Sequence, residues 1–262
     1  MITINIFSDR LFQKEIVLGT MLSEVYTPNV VRVLKQGEMQ FVIVDCEHGY
    51  FDYSQIAQIV SVGNGFGLPV IIRVPGVDKE FISKVLDMGA NGILVPMVNH
   101  AEEAKAIVEY AKYPPLGKRG VSVTRAHSNY NPGNLKDYLE QTNRNTLVLV
   151  QIETQLAVRN SKEIAAVEGI NGLIIGPNDL SMDLDTPGEI QTPSMDKAIE
   201  TVVQAAEQSN KLSGTISTNM KFLQKCKEKG MTFFSCNSEV GMILKSSKQT
   251  VQQFYIDSLK IE

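Results

Sequence analysis

Residues 70–95, VIIRVPGVDKEFISKVLDMGANGILV, contain a complete strand–helix–strand unit. Val70–Val74, with Arg73 as its one polar residue, and Gly92–Val95 are apolar runs without alternation, a pattern typical of parallel strands that helices cover on both faces. The segment between them, Lys79–Met88, has the spacing of a helix, and Asp78 is its predicted N-cap. Because parallel strands need a crossover connection, these residues predict one right-handed β-α-β unit.

The same unit recurs along the whole chain. Apolar runs predict eight strands, at Ile16–Leu18, Phe41–Val44, Val70–Val74, Gly92–Val95, Leu147–Ile152, Leu173–Ile175, Leu212–Ile216 and Met231–Phe234. Helical spacing predicts helices between them, at Asn29–Gln36, Tyr53–Val62, Lys79–Met88, Ala101–Lys112, Leu135–Thr142, Ser161–Val167, Met195–Ser209 and Asn219–Lys229, with a further helix at Val251–Leu259. This alternation indicates an α/β fold, a (β/α)8 TIM barrel, as a single domain over residues 1–262. A doubly wound open sheet is the alternative, since alternation alone does not prove closure.

The composition excludes several classes of protein. The chain has 25 basic and 29 acidic residues, a net charge of −4, so it lacks the basic surface of a nucleic-acid-binding protein. It contains no window of 18 apolar residues, which argues against a membrane span. Its three cysteines form no metal-binding or disulfide pattern, which favours a reduced, cytoplasmic setting.

Polar and ionisable residues follow four of the predicted strands. They are Asp45, Glu47 and His48 after the second strand, Arg73 in the third, Gln151 and Glu153 at the end of the fifth, and Gly176, Pro177, Asn178 and Asp179 after the sixth. In a barrel these strand ends share one rim, which is where catalytic residues occur. Each residue alone has a structural alternative, such as a cap, a buried ion pair or an Asx turn. Their convergence from four strands predicts a functional site.

The residue types at this rim suit the chemistry of 2-oxo acids. Two carboxylates, together with an oxygen-rich ligand, suit a hard divalent cation that acts as a Lewis acid on a keto oxygen. An arginine beside that oxygen stabilises an enolate, and a histidine with a carboxylate partner transfers protons near pH 7. A Schiff-base mechanism is disfavoured, because no predicted strand ends in lysine. Cys46 is expected to be a buried packing residue rather than a nucleophile.

Six motifs resemble those of the HpcH/HpaI aldolase family, metal-dependent class II 2-oxo acid aldolases on a (β/α)8 barrel. In chain order they are VDCEHG (44–49), RVP (73–75), LDMGANGILVPMV (86–98), YPPLGKRG (113–120), QIET (151–154) and GPNDLS (176–181). The resemblance is to 4-hydroxy-2-oxoheptanedioate and 2-dehydro-3-deoxyglucarate aldolases. It implies reversible retro-aldol cleavage of a 4-hydroxy-2-oxo acid to pyruvate and an aldehyde, through a metal-stabilised enolate.

The resemblance also implies a role for each matching residue. Glu153 and Asp179 would bind the divalent cation, for which Mg²⁺ and Mn²⁺ are the first candidates and Co²⁺ is the third. Arg73 would contact the keto or enolate oxygen, and His48, paired with Asp45, would be the acid–base group. The 2-oxo acid would be held by Arg73, Gln151, Gly176, Pro177, Asn178 and Asp179. The family forms hexamers built as trimers of dimers, so a homo-oligomer is expected.

The chain departs from the family pattern at both ends. It has no tryptophan, although the family usually has one after the glycine that matches Gly19, and Asn237-Ser238-Glu239 stands where Gly-x-Asp is usual. These changes concern the acceptor side, so the aldehyde is not identified. The alternative enzyme is a citrate synthase of siderophore biosynthesis, which joins oxaloacetate to acetyl-CoA on the same scaffold. A metabolite-binding module without activity is the non-enzyme alternative.

A long irregular stretch, Tyr113–Asn134, interrupts the alternation. Long loops inside compact domains are often functional. Its basic residues Lys118, Arg119 and Arg125 suggest two alternatives. They neutralise a distal carboxylate or a CoA phosphate, or they form a solvated subunit contact.

Overall fold

The computed structural model describes residues 11, 13 and 15–258, and its centre is a closed barrel of eight parallel strands in chain order. The strands are β1 (Val17–Leu22), β2 (Val42–Asp45), β3 (Val70–Arg73), β4 (Gly92–Val95), β5 (Leu147–Ile152), β6 (Gly172–Ile175), β7 (Leu212–Ser217) and β8 (Phe233–Ser238). β1 pairs with β2 and also with β8, where Val17 lies opposite Phe233. The predicted barrel is therefore confirmed, and the alternative of an open sheet is wrong.

Helices surround the barrel and connect its strands. They are α1 (Asn29–Gln36), α2 (Tyr53–Phe66), α3 (Lys79–Asp87), α4 (Ala101–Ala111), α5 (Leu135–Asn145), α6 (Gln155–Arg159), α7 (Ser161–Ala165), α8 (Pro177–Asp183), α9 (Pro193–Gln208), α10 (Met220–Glu228) and α11 (Glu239–Ser258). Asp78 caps α3 as predicted, because its carboxylate accepts a hydrogen bond of 2.7 Å from the backbone N–H of Phe81. None of the described helices is long and apolar enough to cross a membrane.

Several predicted helices differ in extent from those of the structure. α2 continues to Phe66 rather than ending at Val62, and α5 continues to Asn145 rather than ending at Thr142. The helix expected at Ser161–Val167 is shorter, and a separate helix, α6, precedes it, because the Thr154 side chain caps an earlier turn. The helix expected at Val251–Leu259 belongs to α11, which starts at Glu239, and residue 259 lies outside the described residues.

The last strand also differs from its prediction. β8 begins at Phe233 rather than Met231 and continues to Ser238, past the end of the apolar run. Its polar end stays in the sheet because the backbone pairs with β7 as far as Cys236. Apolar runs therefore underestimate a strand whose last residues face the rim instead of the core.

The barrel interior is packed at its N-terminal end. An interior apolar cluster there includes Leu11, and the rings of Phe41 and Phe233 stack with centroids 4.4 Å apart. Each such buried side chain contributes roughly 1.5–3 kcal/mol relative to an exposed one. Because apolar side chains fill this end, polar side chains are concentrated at the other one.

The basic residues at the start of the long loop have carboxylate partners within the chain. The Lys118 ammonium lies 3.1 Å from a Glu109 oxygen on α4. The buried Arg119 guanidinium lies 2.6 Å from an Asp87 oxygen at the end of α3. These ion pairs hold the start of the loop against the outer helices.

Candidate active site

Asp45 and Arg73 form a buried pair at the rim. They end the adjacent strands β2 and β3 and lie opposite each other in register. The Nε of Arg73 donates to Oδ1 of Asp45 at 2.9 Å, and its Nη2 donates to Oδ2 at 2.6 Å. This two-pronged geometry matches the planar guanidinium to the carboxylate and fixes the orientation of Arg73.

The charges of this pair stabilise each other. Burial by itself would raise the pKa of Asp45, but the hydrogen bonds and charge of Arg73 outweigh burial and hold that pKa below its usual value. Asp45 is therefore ionised at neutral pH. Glu47 adds a third carboxylate, with Oε2 3.0 Å from Nη1 of Arg73, as an ionic contact without the alignment of a hydrogen bond. Burial raises the pKa of Glu47, although Arg73 and His48 oppose that shift.

His48 lies on the exposed side of this cluster. Its backbone N–H donates to Oδ1 of Asp45 at 3.3 Å, next to the 3.0 Å bond from the N–H of Glu47. The pairing of the His48 and Asp45 side chains as an acid–base dyad stays a prediction. Both oxygens of Asp45 accept hydrogen bonds from Arg73, and within the described part of the chain no hydrogen bond joins Asp45 to the His48 ring. The guanidinium takes this carboxylate because it carries a permanent charge and two parallel donors.

Glu153 lies at the end of β5, and its carboxylate is buried. Its Oε2 accepts a hydrogen bond of 2.8 Å from the Met97 backbone N–H, and its Oε1 accepts one of 2.9 Å from the Gln151 side chain. Burial raises the pKa of Glu153 to about 7, with further contributions from the negative charges of Glu47 and Asp179. A cation beside Glu153 would offset both effects.

Gly176 provides the space in which the Glu153 carboxylate lies. A Cβ atom at Gly176 would lie 2.2 Å from Oε1 of Glu153, which is inside van der Waals contact. The φ angle of Gly176 is −94°, so its conformation does not itself require glycine. Glycine is needed here for space rather than for backbone freedom.

Asp179 and Asn178 are exposed on the first turn of α8, and Pro177 is buried at the start of that helix. Gln151 is buried, and its Oε1 has no hydrogen-bond partner. A buried acceptor without a partner costs about 1–3 kcal/mol, so a donor from a ligand or a water would stabilise it. These residues provide oxygen atoms and polar groups on one side of the rim.

The side chains at the rim suit Mg²⁺ or a similar ion better than a metal ion held by protein side chains alone. The described residues contain no group of three or more His, Cys, Asp and Glu side chains arranged to hold a metal ion. Mg²⁺ is commonly held by one or two carboxylates, with waters and substrate oxygens as its other ligands. Glu153, whose raised pKa is due in part to the charge of Asp179, fits that mode of binding together with Asp179.

Met97 contributes to the site, although its residue type did not indicate this in the sequence. Its φ of 55° is unusual for a residue with a side chain, and this backbone turn directs its N–H at Glu153. Neither Pro96 nor Met97 is ionisable, so a search for ionisable strand ends could not select them. The backbone conformation was the only signal, and it exists only in the folded chain.

Lys112 and Cys46 are titratable residues that the rim does not use. Burial lowers the pKa of Lys112 to about 7, but its Nζ donates to the backbone oxygens of Asn143, at 2.7 Å, and Thr146. Lys112 follows the C-terminus of α4, away from the strand ends, so it caps α5 and offers no Schiff-base site. Burial raises the pKa of Cys46 to about 12, which agrees with its predicted packing role.

A closed (β/α)8 barrel with an arginine and buried carboxylates at its C-terminal rim defines a barrel enzyme with its site at the usual end. The family model described as HpcH/HpaI aldolase/citrate lyase matches residues 21–246. The chain belongs to this HpcH/HpaI aldolase/citrate lyase family. The family and the carbon–carbon lyase function predicted from the sequence are thereby confirmed.

Three relatives illustrate the similarity. A 5-keto-4-deoxy-D-glucarate aldolase of Escherichia coli strain K12 / DH10B is 33% identical over 251 residues, 95% of this chain and 96% of the relative. The crystal structure of an HpcH/HpaI aldolase from Desulfitobacterium hafniense DCB-2 superposes with a TM-score of 0.90 at 32% identity, over 94% of this chain and 95% of the other. The citrate synthase SbnG has a TM-score of 0.85 at 25% identity, over 96% of this chain and 98% of its own.

Proposed function

We propose that this enzyme cleaves a 4-hydroxy-2-oxo acid reversibly to pyruvate and an aldehyde. The strongest support is Arg73, whose guanidinium is oriented by Asp45 and Glu47 at the rim that also holds Glu153. A fixed cation at this position stabilises negative charge that develops on a keto oxygen. The E. coli relative acts on a hydroxylated 2-oxo acid by its name, and we extend that substrate class to this chain.

Two side chains have separate roles in the proposed reaction: His48 transfers a proton and Arg73 stabilises the enolate. His48, on the exposed side of the rim, takes the proton from the 4-hydroxyl group as the bond between C3 and C4 breaks. The electrons of that bond remain on the three-carbon fragment as the enolate of pyruvate, which Arg73 stabilises. A proton then returns to C3 to give the methyl group of pyruvate, and the aldehyde leaves.

We further propose that Glu153 and Asp179 hold a divalent cation. Mg²⁺ and Mn²⁺ are the first candidates, and Co²⁺ is the third. The support is chemical: a buried carboxylate of raised pKa lies within the electrostatic reach of a second carboxylate, in space that Gly176 leaves open. When bound, such a cation polarises the keto group of the substrate. The amide of Gln151 and the backbone at Gly176, Pro177 and Asn178 would bind the carboxylate end of the 2-oxo acid.

Metal removal gives a direct test. In D₂O with Mg²⁺ or Mn²⁺, the methyl protons of pyruvate are expected to exchange for deuterium in the presence of the enzyme, as followed by NMR. Exhaustive chelation should abolish the exchange, and added metal should restore it, because the cation lowers the cost of forming the enolate. The variant His48→Ala should bind pyruvate but lose the exchange. Full exchange after chelation would exclude metal dependence.

A second candidate function is condensation of oxaloacetate with acetyl-CoA to form citrate. The observation that favours it is the similarity to the citrate synthase SbnG along almost the whole chain. The two functions separate in parallel reactions, because citrate formation releases free CoA and pyruvate exchange does not. Release of CoA without exchange on pyruvate would favour the citrate-forming enzyme.

We infer that the enzyme is a cytoplasmic homo-oligomer, a hexamer built as a trimer of dimers. The support is α11, whose apolar side chains Ile243, Leu244, Val251, Phe254 and Tyr255 are more than half exposed. Exposed apolar helix faces of this kind mark interaction surfaces. Light scattering should therefore give a mass well above the 29.0 kDa of one chain, and a monomer would contradict the inference.

A further inference from the structure

Glu239, the first residue of α11, binds a loop that begins more than 200 residues earlier. Its carboxylate is buried, with 3% of the residue exposed. Its oxygens accept hydrogen bonds from three consecutive backbone N–H groups: Ser23 at 2.9 and 3.0 Å, Glu24 at 2.7 Å and Val25 at 2.9 Å. The Ser23 hydroxyl donates a further bond of 3.2 Å.

The loop that Glu239 holds packs against the segment that carries His48. A Cβ atom at Gly49 would lie 3.0 Å from the Ser23 carbonyl oxygen and 2.2 Å from that of Asp45. Gly49 is therefore enclosed between the loop at residues 23–25 and the end of β2. On the N-terminal side of Gly49, the backbone N–H of His48 donates a hydrogen bond of 3.3 Å to Oδ1 of Asp45.

We propose that Glu239 is a positioning residue for His48. It acts through Ser23, Glu24 and Val25, whose backbone forms one wall of the segment at His48 and Gly49. This proposal rests on the proposed function, in which His48 carries the proton. Glu239 itself does not contact the substrate.

The physical reason is the number of donors that depend on one side chain. Hydrogen bonds to a charged group are worth about 1.5–3 kcal/mol each, so three amides converging on one carboxylate give the loop a single position. Removing the charge leaves these partly buried amides underbonded, and the wall beside Gly49 can then shift. A displacement of about 1 Å in a catalytic group can cost on the order of 100-fold in rate.

The test is Glu239→Gln, which keeps the shape and one oxygen but turns an NH₂ donor toward the backbone donors. We expect kcat to fall about tenfold, which is less than the loss on the order of 100-fold that follows a full misplacement of a catalytic group. KM for the 2-oxo acid should change less than about twofold. Glu239→Asp retains the charge and should recover part of kcat. The matched control is Glu80→Gln, which removes an exposed carboxylate of α3 that forms an ion pair with Lys84 and should leave kcat unchanged.

A second readout does not depend on turnover. The chain has three histidines, so the ring resonance of His48 can be assigned in NMR spectra by comparison with His48→Ala. In Glu239→Gln this resonance should move while those of His100 and His127 stay in place. If Glu239→Gln does not fold, Ser23→Ala, which removes the 3.2 Å bond alone, should move the same resonance by a smaller amount.

The outcomes separate the two proposals. An active wild-type enzyme with unchanged kcat and an unmoved His48 resonance in Glu239→Gln would overturn the positioning role alone. A wild-type protein that turns over no 2-oxo acid would reject the proposed function, and the His48 resonance would still decide whether Glu239 positions that residue.

Discussion

Replacing Arg73 with lysine is expected to lower kcat by about 100- to 1000-fold, which corresponds to roughly 2.7–4 kcal/mol of lost transition-state stabilisation. A lysine keeps the charge but cannot make the two parallel bonds that Arg73 gives to Asp45, nor reach Glu47 at the same time. The ammonium would be drawn to one carboxylate and away from the developing oxyanion. Steady-state kinetics of retro-aldol cleavage measures the loss.

The matched control for this change is Arg32→Lys. Arg32 is an exposed arginine of the outer helix α1, and its guanidinium lies 4.5 Å from the centre of the Phe66 ring. The Arg32→Lys variant should keep the wild-type kcat. Circular dichroism should show that both variants remain folded. If Arg73→Lys also kept wild-type kcat, Arg73 would have no part in the chemical step.

Substitution of Gly176 by alanine is expected to reduce kcat by about 100-fold and to weaken divalent-cation affinity by about tenfold or more. The added methyl group would lie 2.2 Å from Oε1 of Glu153, so the carboxylate must move. Moving it breaks the bonds to the Met97 N–H and the Gln151 side chain. Calorimetric titration with Mn²⁺ and steady-state kinetics measure the two effects separately.

Gly65→Ala is the matched control, because a Cβ atom at Gly65 meets nothing within 4 Å. Gly65 lies within α2, so alanine there should stabilise the protein by about 0.5–1 kcal/mol without changing kcat. The comparison isolates the steric effect at Gly176 from the general effect of adding a methyl group. Wild-type metal affinity in Gly176→Ala would show that Glu153 is not a metal ligand.

The alternation of strands and helices follows from local properties of the sequence. Continuous apolar runs mark strands that are buried on both faces, and the limits of β4 and β5 agree with the prediction residue for residue. Helix starts follow from capping side chains such as Asp78. These features depend on neighbours along the chain, so the sequence alone is sufficient to predict them.

The membership of the candidate site was also accessible from the sequence, because the residues after β2, β3, β5 and β6 must share one rim once the barrel closes. The partners within the site were not accessible. Asp45 accepts hydrogen bonds from the side chain of Arg73, 28 residues away, and this pair was not predicted. The choice between two partners depends on distances and angles that periodicity does not contain.

The sequence by itself determined the order of strands and helices and the set of polar residues that follow the strands, and it favoured a barrel without proving that the sheet closes. The tertiary structure alone decided that Arg73 takes the Asp45 carboxylate, that Gly176 makes room for Glu153, and that Glu239 binds the loop at Ser23. The reason is physical. Local hydrophobicity and capping act between residues a few positions apart, whereas closing the barrel brings together groups up to 217 residues apart, and their geometry is set by the register of the strands.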